Sequence, residues 1–235
     1  MRKIGLLGGM SWQSSIEYER AINQIIADRL GGTASADLLI RSFNFAEVEA
    51  LQAAGDWAAC ADLLATAAIS LETAGAEAIA ICTNTMHNVA DSVEQRLTVP
   101  LLHIADATGE AALAKGLECV SLFGTRFTME MPFLRQRLES KFGLRVITPD
   151  SEQRAEIHRV IYQELVQGRF LDESRDFVLG VMRQQLDQGA QGIIAGCTEI
   201  EQLVTPSMFE QNVGAPYFPT AALHARAIAH WSLGD

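Results

Sequence analysis

Along the first hundred residues the apolar positions follow two periods. Residues 3–7, apolar from Ile4 onward and closed by Gly8-Gly9, read as a strand entering a tight turn. Helical spacing follows over about 13–30, with Ile16, Ala21, Ile22, Ile25, Ile26 and Leu30 assigned to one side, and Gly31-Gly32 stop that helix. A second strand is expected at 37–42, then a polar-aromatic loop from Phe43 to Glu47. A short helical piece at about 48–53 and a longer helix over about 56–73 come next, the latter with Asp56 as its cap. The run Gly75-Ala-Glu-Ala-Ile-Ala-Ile81 predicts a third, fully buried strand that ends at Cys82. A helix is expected over about 84–96, and Pro100 opens a fourth strand at 101–104.

The pattern then restarts. Val120-Ser-Leu-Phe-Gly124 is similar to Gly5-Leu-Leu-Gly8. Gly124 and Gly8, Gly189 and Gly75, Cys197 and Cys82, and Pro216 and Pro100 lie 116, 114, 115 and 116 positions apart. Four landmarks at nearly one separation predict two similar α/β halves. No low-complexity linker divides them, so close packing is expected, and a cleft between two such halves is a common place for a ligand.

The repeat carries chemistry. Ala80-Ile-Cys-Thr-Asn-Thr-Met-His87 returns in altered form as Ala195-Gly-Cys-Thr-Glu-Ile200, so each half delivers a thiol where a buried strand gives way to polar residues. Ligands of open α/β sheets bind at the carboxyl ends of the strands. Free cysteine is also an ordinary small apolar filler, and Cys60, inside a helix, and Cys119, before a strand, are read that way. For Cys82 and Cys197 position and repetition favour chemistry, with a helix start expected to lower each thiol pKa. Thr83, Asn84 and Thr85, and Thr198 with Glu199 in the second copy, add donors suited to an anionic group, although Asn84 and Thr198 also suit plain capping. Glu199 would oppose thiolate formation at Cys197 if it lay close by, or could orient a substrate ammonium.

Other chemistry is poorly supplied. His87 follows Cys82 by five positions, but without a Cys-x-x-Cys or His-x-x-x-His pair no metal site is expected. Gly5-Leu-Leu-Gly8-Gly9 spells neither the spaced-glycine dinucleotide pattern nor a P-loop, so no nucleotide cofactor is indicated. The composition, 49% apolar and 20% charged, is that of a soluble globular protein. A net charge of −11 and a pI of about 4.9 disfavour nucleic-acid binding. Met1-Arg-Lys3 before an apolar stretch looks superficially like a signal peptide, but the stretch is short and glycine-rich. No run nears the roughly 20 apolar residues of a membrane span. A cytoplasmic location with reduced cysteines is therefore expected.

Five stretches then carry a family likeness. Gly5-Leu-Leu-Gly-Gly-Met-Ser-Trp12, Cys82-Thr-Asn-Thr-Met-His87, Ile104-Ala-Asp-Ala-Thr108, Leu122-Phe-Gly-Thr-Arg-Phe-Thr-Met129 and Gly196-Cys-Thr-Glu-Ile200 resemble the aspartate/glutamate racemase family, in particular its broad-specificity amino-acid racemase branch. The resemblance implies a cofactor-independent racemase of two pseudo-symmetric, parallel-sheet α/β lobes with the active site in the cleft between them. It implies a first lobe of 1–104 with a returning C-terminal helix at 219–235, a second lobe of 105–218, and a homodimer. By the same likeness Cys82 and Cys197 are the acid/base pair, Cys197 facing the Cα–H of the L-enantiomer and Cys82 that of the D-enantiomer. Met10, Gln52, Thr83, Asn84, Thr85, Thr125, Glu164, Thr198 and Glu199 line the implied substrate pocket. The chain departs from many relatives at Phe218-Pro-Thr220, where Pro219 replaces an Asp. An amino acid with a neutral side chain, such as homoserine, is the expected substrate. Aspartate or glutamate is the alternative, as are a related lyase or isomerase on the same fold and a protein that binds an amino acid without turning it over.

Overall fold

The computed structural model describes all 235 residues, Met1–Asp235. The chain divides into two compact units: Met1–Ile104 with Ala221–Asp235, and Ala105–Thr220.

In the first unit the strands β1 (Ile4–Gly8), β2 (Leu38–Ser42), β3 (Ala78–Ile81) and β4 (Leu101–Leu102) form a parallel sheet in the order β2-β1-β3-β4. Ile4 pairs with Leu38 and with Ala78, and Ile79 with Leu101, so β1 and β3 are central. Side chains alternate across a strand, and both faces here are apolar. Leu7, Ile79 and Ile81 enter one core with helix Trp57–Thr73. Ile4, Leu6, Ala78, Ala80 and Cys82 enter the other, against helices Trp12–Leu30 and Thr220–Leu233. Asp56 caps the long helix as expected, accepting the Ala59 N–H at 3.0 Å.

Four local expectations change. Helix Phe45–Ala54 takes in residues 45–47, where loop was expected. The buried stripe of helix Trp12–Leu30 is Ser14, Tyr18, Ile22 and Ile26, one residue per turn, whereas Ile16 and Leu30 are more than half exposed. The helix has apolar residues on more than one side, and the face that meets the sheet and the C-terminal helix decides which are buried. The chain after Cys82 is not one helix over 84–96: a 3₁₀ turn, Thr85–Val89, leads into the short α-helix Ala90–Glu94. Strand β4 ends at Leu102, because the next helix, Ile104–Ala114, begins where strand had been expected.

In the second unit β5 (Cys119–Gly124), β6 (Arg145–Ile147), β7 (Ile193–Gly196) and β8 (Tyr217–Pro219) form another parallel sheet, in the order β6-β5-β7-β8. This is the strand order of the first unit, the topological counterpart of the sequence repeat. Ile193, Ala195 and Cys197 point alternately into a core built with Phe123 and helices Ser151–Gln163 and Asp172–Asp187. Pro219 lies in the edge strand β8, opposite Ala195, where a missing N–H is tolerated.

In each sheet the chain leaves the first strand toward one edge and returns on its other side. The crevice between β1 and β3, and likewise between β5 and β7, is thus a topological switch point, where ligands of open α/β sheets bind.

Candidate active site

Each switch point holds a thiol. In the first unit the Cys82 N–H donates to the Leu7 carbonyl at 2.9 Å, which extends the β1–β3 ladder by one bond and sets Cys82 beside Gly8. Gly9 makes the turn out of β1. Its φ is +84°, and a Cβ there would lie 2.3 Å from the Phe43 nitrogen and 2.4 Å from the Phe43 oxygen. Only glycine fits both the left-handed φ and that close approach. The Gly9 N–H is held by the Ser15 hydroxyl at 2.7 Å, and Met10 follows, buried. Gln52, from helix Phe45–Ala54, is also buried and donates to the Met86 sulfur at 3.0 Å, so it adjoins the turn that follows Cys82. Thr83 is half-buried; Asn84 and Thr85 are buried. Met10, Gln52, Cys82 and Thr83 to Thr85 therefore gather at the carboxyl end of one sheet.

In the second unit Gly124 and Gly196 pair across β5 and β7. A Cβ on Gly124 would meet the Gly196 oxygen at 2.8 Å, and one on Gly196 the Phe123 oxygen at 2.8 Å. The two glycines let the strand ends close up directly before Thr125 and Cys197. Thr125 caps helix Arg126–Glu130, its hydroxyl accepting the Thr128 N–H at 3.2 Å. Cys197, extended at φ −156°, occupies the capping position of helix Thr198–Leu203, so Thr198 is its first residue and not its cap. Thr198 and Glu199 are buried. Glu164 is buried as well, with both carboxylate oxygens engaged inside this unit: Arg159 donates to one at 2.9 Å and the Ser174 hydroxyl to the other at 2.5 Å. The Ser174 bond, with Arg159, holds the Glu164 carboxyl below the usual carboxylate range despite its burial.

The electrostatics reverse one expectation. Cys82 is 1% exposed and Cys197 8%. Burial alone pushes the Cys82 thiol well above its ordinary value. Burial, then the Glu199 carboxylate, push Cys197 up strongly, and the Cys197 thiol donates to Glu199 at 3.0 Å. The backbone N–H groups of Glu199 and Ile200 act the other way and are outweighed. After Cys82 the first turn is 3₁₀, and after Cys197 the helix has six residues. Dipoles that short do not offset desolvation. Both thiols are thus protonated at neutral pH without a ligand. Because thiolate is the nucleophile and a free cysteine titrates near 8.5, iodoacetamide should label both at pH 7 at least about tenfold more slowly than free cysteine. Labelling should accelerate as pH rises past 9, followed by mass spectrometry. Rapid labelling of either residue at pH 7 would contradict this.

The sequence passed over one group of residues. Tyr18, His87, His103 and His224 are all buried in the first unit, and the His87 ring stacks edge-on against His103 at 4.4 Å between centroids. Only His87 carried a local signal, its spacing from Cys82. No group of three or more His, Cys, Asp or Glu side chains is arranged to hold a metal ion, and no helix is long and apolar enough to cross a membrane.

Comparison with known proteins fits this geometry. The sequence model of the Asp/Glu/hydantoin racemase family matches residues 7–228. A crystal structure of a candidate Asp/Glu racemase from Yersinia pestis is 49% identical, covering 99% of this chain and 100% of that one, with a TM-score of 0.92. The structure of PH1733, an aspartate racemase homologue from Pyrococcus horikoshii OT3, is 32% identical over 99% and 100% of the two chains, with a TM-score of 0.84. The broad specificity amino-acid racemase RacX of Bacillus subtilis (strain 168) is 27% identical over 137 residues. That match spans 58% of this chain and 58% of the relative's own length.

Proposed function

This chain belongs to the Asp/Glu/hydantoin racemase family, and from that premise we propose that it interconverts the L and D forms of an amino acid by two-base proton transfer at Cα. The observation that carries the reading is the repeated switch point: two units of one strand order, each placing a buried cysteine followed by threonine just after its third strand.

Inversion without a cofactor needs a base on one face of Cα and an acid on the other. The reaction assigns these roles to Cys82 and Cys197, which exchange them when the opposite enantiomer enters. The carbanion-like intermediate keeps its negative charge against its own carboxylate, so donors aimed at that carboxylate stabilise it most. Thr83, Asn84, Thr85, Thr125 and Thr198 are assigned that task, with Met10 and Gln52 shaping the pocket wall. Glu199 receives the α-ammonium. Burial is the larger cause that holds the Cys197 thiol protonated and Glu199 the next, so an ammonium that neutralises Glu199 lowers the thiol pKa in part and moves it toward its working range. Glu164, already bound by Arg159 and Ser174, is assigned to the pocket wall and not to direct ligation.

The substrate we favour carries a neutral side chain, as in homoserine. The stretches 45–51 and 162–168 contain no Lys or Arg, and Glu199 is a poor neighbour for a second substrate carboxylate. Arg159 lies against Glu164 and Arg126 follows Thr125, so a competing aspartate or glutamate reading is decided by measurement. The proposal includes no metal or organic cofactor, a homodimeric assembly and a cytoplasmic location.

The test is proton NMR in heavy water after exhaustive dialysis against a chelator, with a panel of L-amino acids. The Cα signal should disappear while the D-enantiomer accumulates, with kcat/KM for homoserine, serine or methionine exceeding that for aspartate. Exchange with no amino acid, or activity that returns only with zinc or pyridoxal phosphate, would defeat the reading. A strong preference for aspartate would transfer it to the acidic-substrate alternative.

A further inference from the structure

We propose that His87 is a positioning residue that sets the backbone after Cys82, and that it acts on one side of the reaction only. The inference rests on the racemase reading for its kinetic consequence, but its geometry stands apart from it.

The tautomer follows from the partners. The Ile104 N–H can only donate, and it points at His87 Nε2 at 3.2 Å, so Nε2 accepts. The Thr83 carbonyl can only accept, and it lies 2.8 Å from Nδ1, so Nδ1 carries the proton. One imidazole thereby spans from the residue next to Cys82 to the first residue of helix Ile104–Ala114.

The cluster around it is built the same way. His224 gives Nε2–H to the Leu102 carbonyl at 2.8 Å and accepts the Tyr18 hydroxyl at Nδ1, 3.0 Å away. His103 packs edge-on to His87, and His224 lies 5.9 Å from it between ring centroids. Tyr18 comes from helix Trp12–Leu30 and His224 from helix Thr220–Leu233, so the ring bridging Thr83 and Ile104 is seated among parts distant in sequence.

The consequence is local to Cys82. The chain after a buried strand has few ways to turn, and here it takes a 3₁₀ turn in which the His87 N–H bonds the Asn84 carbonyl at 3.0 Å. Locking the Thr83 carbonyl from below fixes the peptide planes on which the Cys82 thiol and the Thr83 to Thr85 donors ride. Misplacing a reacting group by about 1 Å costs on the order of a hundredfold in rate. Cys197 belongs to the other unit, whereas both of these His87 bonds end at residues of the first.

Two variants separate the bonds. His87→Leu fills similar space and loses both, whereas His87→Asn keeps a donor near the Nδ1 position for the Thr83 carbonyl. The readout is Cα deuterium exchange on each enantiomer, calibrated by Cys82→Ser, which identifies the enantiomer that depends on Cys82. His87→Leu should lower exchange on that enantiomer about 10- to 100-fold and on the other less than about threefold, and His87→Asn should recover most of the loss. In the wild-type protein, ¹⁵N-histidine NMR should show His87 protonated at Nδ1 and not at Nε2. Equal losses on both enantiomers in a variant with wild-type circular dichroism and melting would overturn the proposal, as would unchanged exchange or the opposite tautomer. Should His87→Leu fail to fold, His87→Asn and the tautomer decide the matter. Should the wild type exchange no Cα proton at all, the racemase reading fails alone. The tautomer and Cys82 alkylation, expected to be faster in His87→Leu, then judge the positioning role.

Discussion

Cys82→Ser and Cys197→Ser are each expected to lower racemisation by at least about 10²- to 10⁴-fold, the usual worth of a general acid/base group, while leaving the fold intact. Serine approximates the size of cysteine, but its hydroxyl is far less acidic and makes a poor base. Every turnover uses both faces of Cα, so loss of either thiol stops inversion. Exchange without inversion needs only one working base, and there the variants should differ. With Cys197 assigned to the L-enantiomer by family likeness, Cys82→Ser should retain more Cα exchange on the L-amino acid, and Cys197→Ser more on the D-amino acid. Both thiols sit in covered positions beside polar groups, Cys82 next to Thr83 and Cys197 against Glu199. At Cys197 a serine hydroxyl keeps Glu199 as its partner, and at either site the near-isosteric change opens no large cavity. Circular dichroism and NMR exchange on both enantiomers measure the outcome. Near wild-type racemisation by either folded variant ends the two-base mechanism; a reversed exchange pattern keeps the mechanism and swaps the faces.

Gly9→Ala is expected to destabilise the fold strongly. Two costs combine at this position: a φ of +84° that L-residues avoid, and a Cβ placed 2.3 Å from backbone at Phe43. Left-handed strain costs about 1–3 kcal/mol and forced overpacking about as much again. A combined loss of about 2–6 kcal/mol would lower the melting temperature by roughly 10 °C in a protein of this size. Backbone cannot rotate out of the way as a side chain can, so the strand end must shift, and Met10 and the β1–β3 crevice shift with it. Gly55→Ala is the matched control. Its φ of +70° and ψ of 17° are left-handed too, yet nothing lies within 4 Å of the added Cβ, so it should lose only about 1–2 kcal/mol. Differential scanning calorimetry of the two variants measures the gap. A Gly9→Ala protein melting within about 2 °C of wild type would show that the turn accommodates a side chain after all.

Much of the architecture was legible in local pattern. Buried parallel strands announce themselves as unbroken apolar runs, and the near-constant separation of Gly8 and Gly124, and of Cys82 and Cys197, anticipated the shared strand order of the two sheets. Asp56 was readable as a cap because capping is settled within four residues. Placing both cysteines at strand ends needed nothing beyond the strands themselves.

What depended on distant partners was not legible. Helix Trp12–Leu30 carries apolar residues on several sides, and the sheet and the helix Thr220–Leu233 selected Tyr18 and Ile22 for burial and left Ile16 in solvent. The thiols were expected to be acidic because a helix start is visible in sequence; their desolvation is not, and desolvation dominates. His87 showed only its spacing from Cys82, while its meaning lies in Ile104, His103 and His224, brought together from across the first unit. Sequence by itself determined the strands, the repeat and the residues at their ends, since those follow from the period of neighbouring side chains. Tertiary structure alone decided burial, tautomer and proton affinity, because each is set by groups that only folding brings within hydrogen-bonding or van der Waals distance.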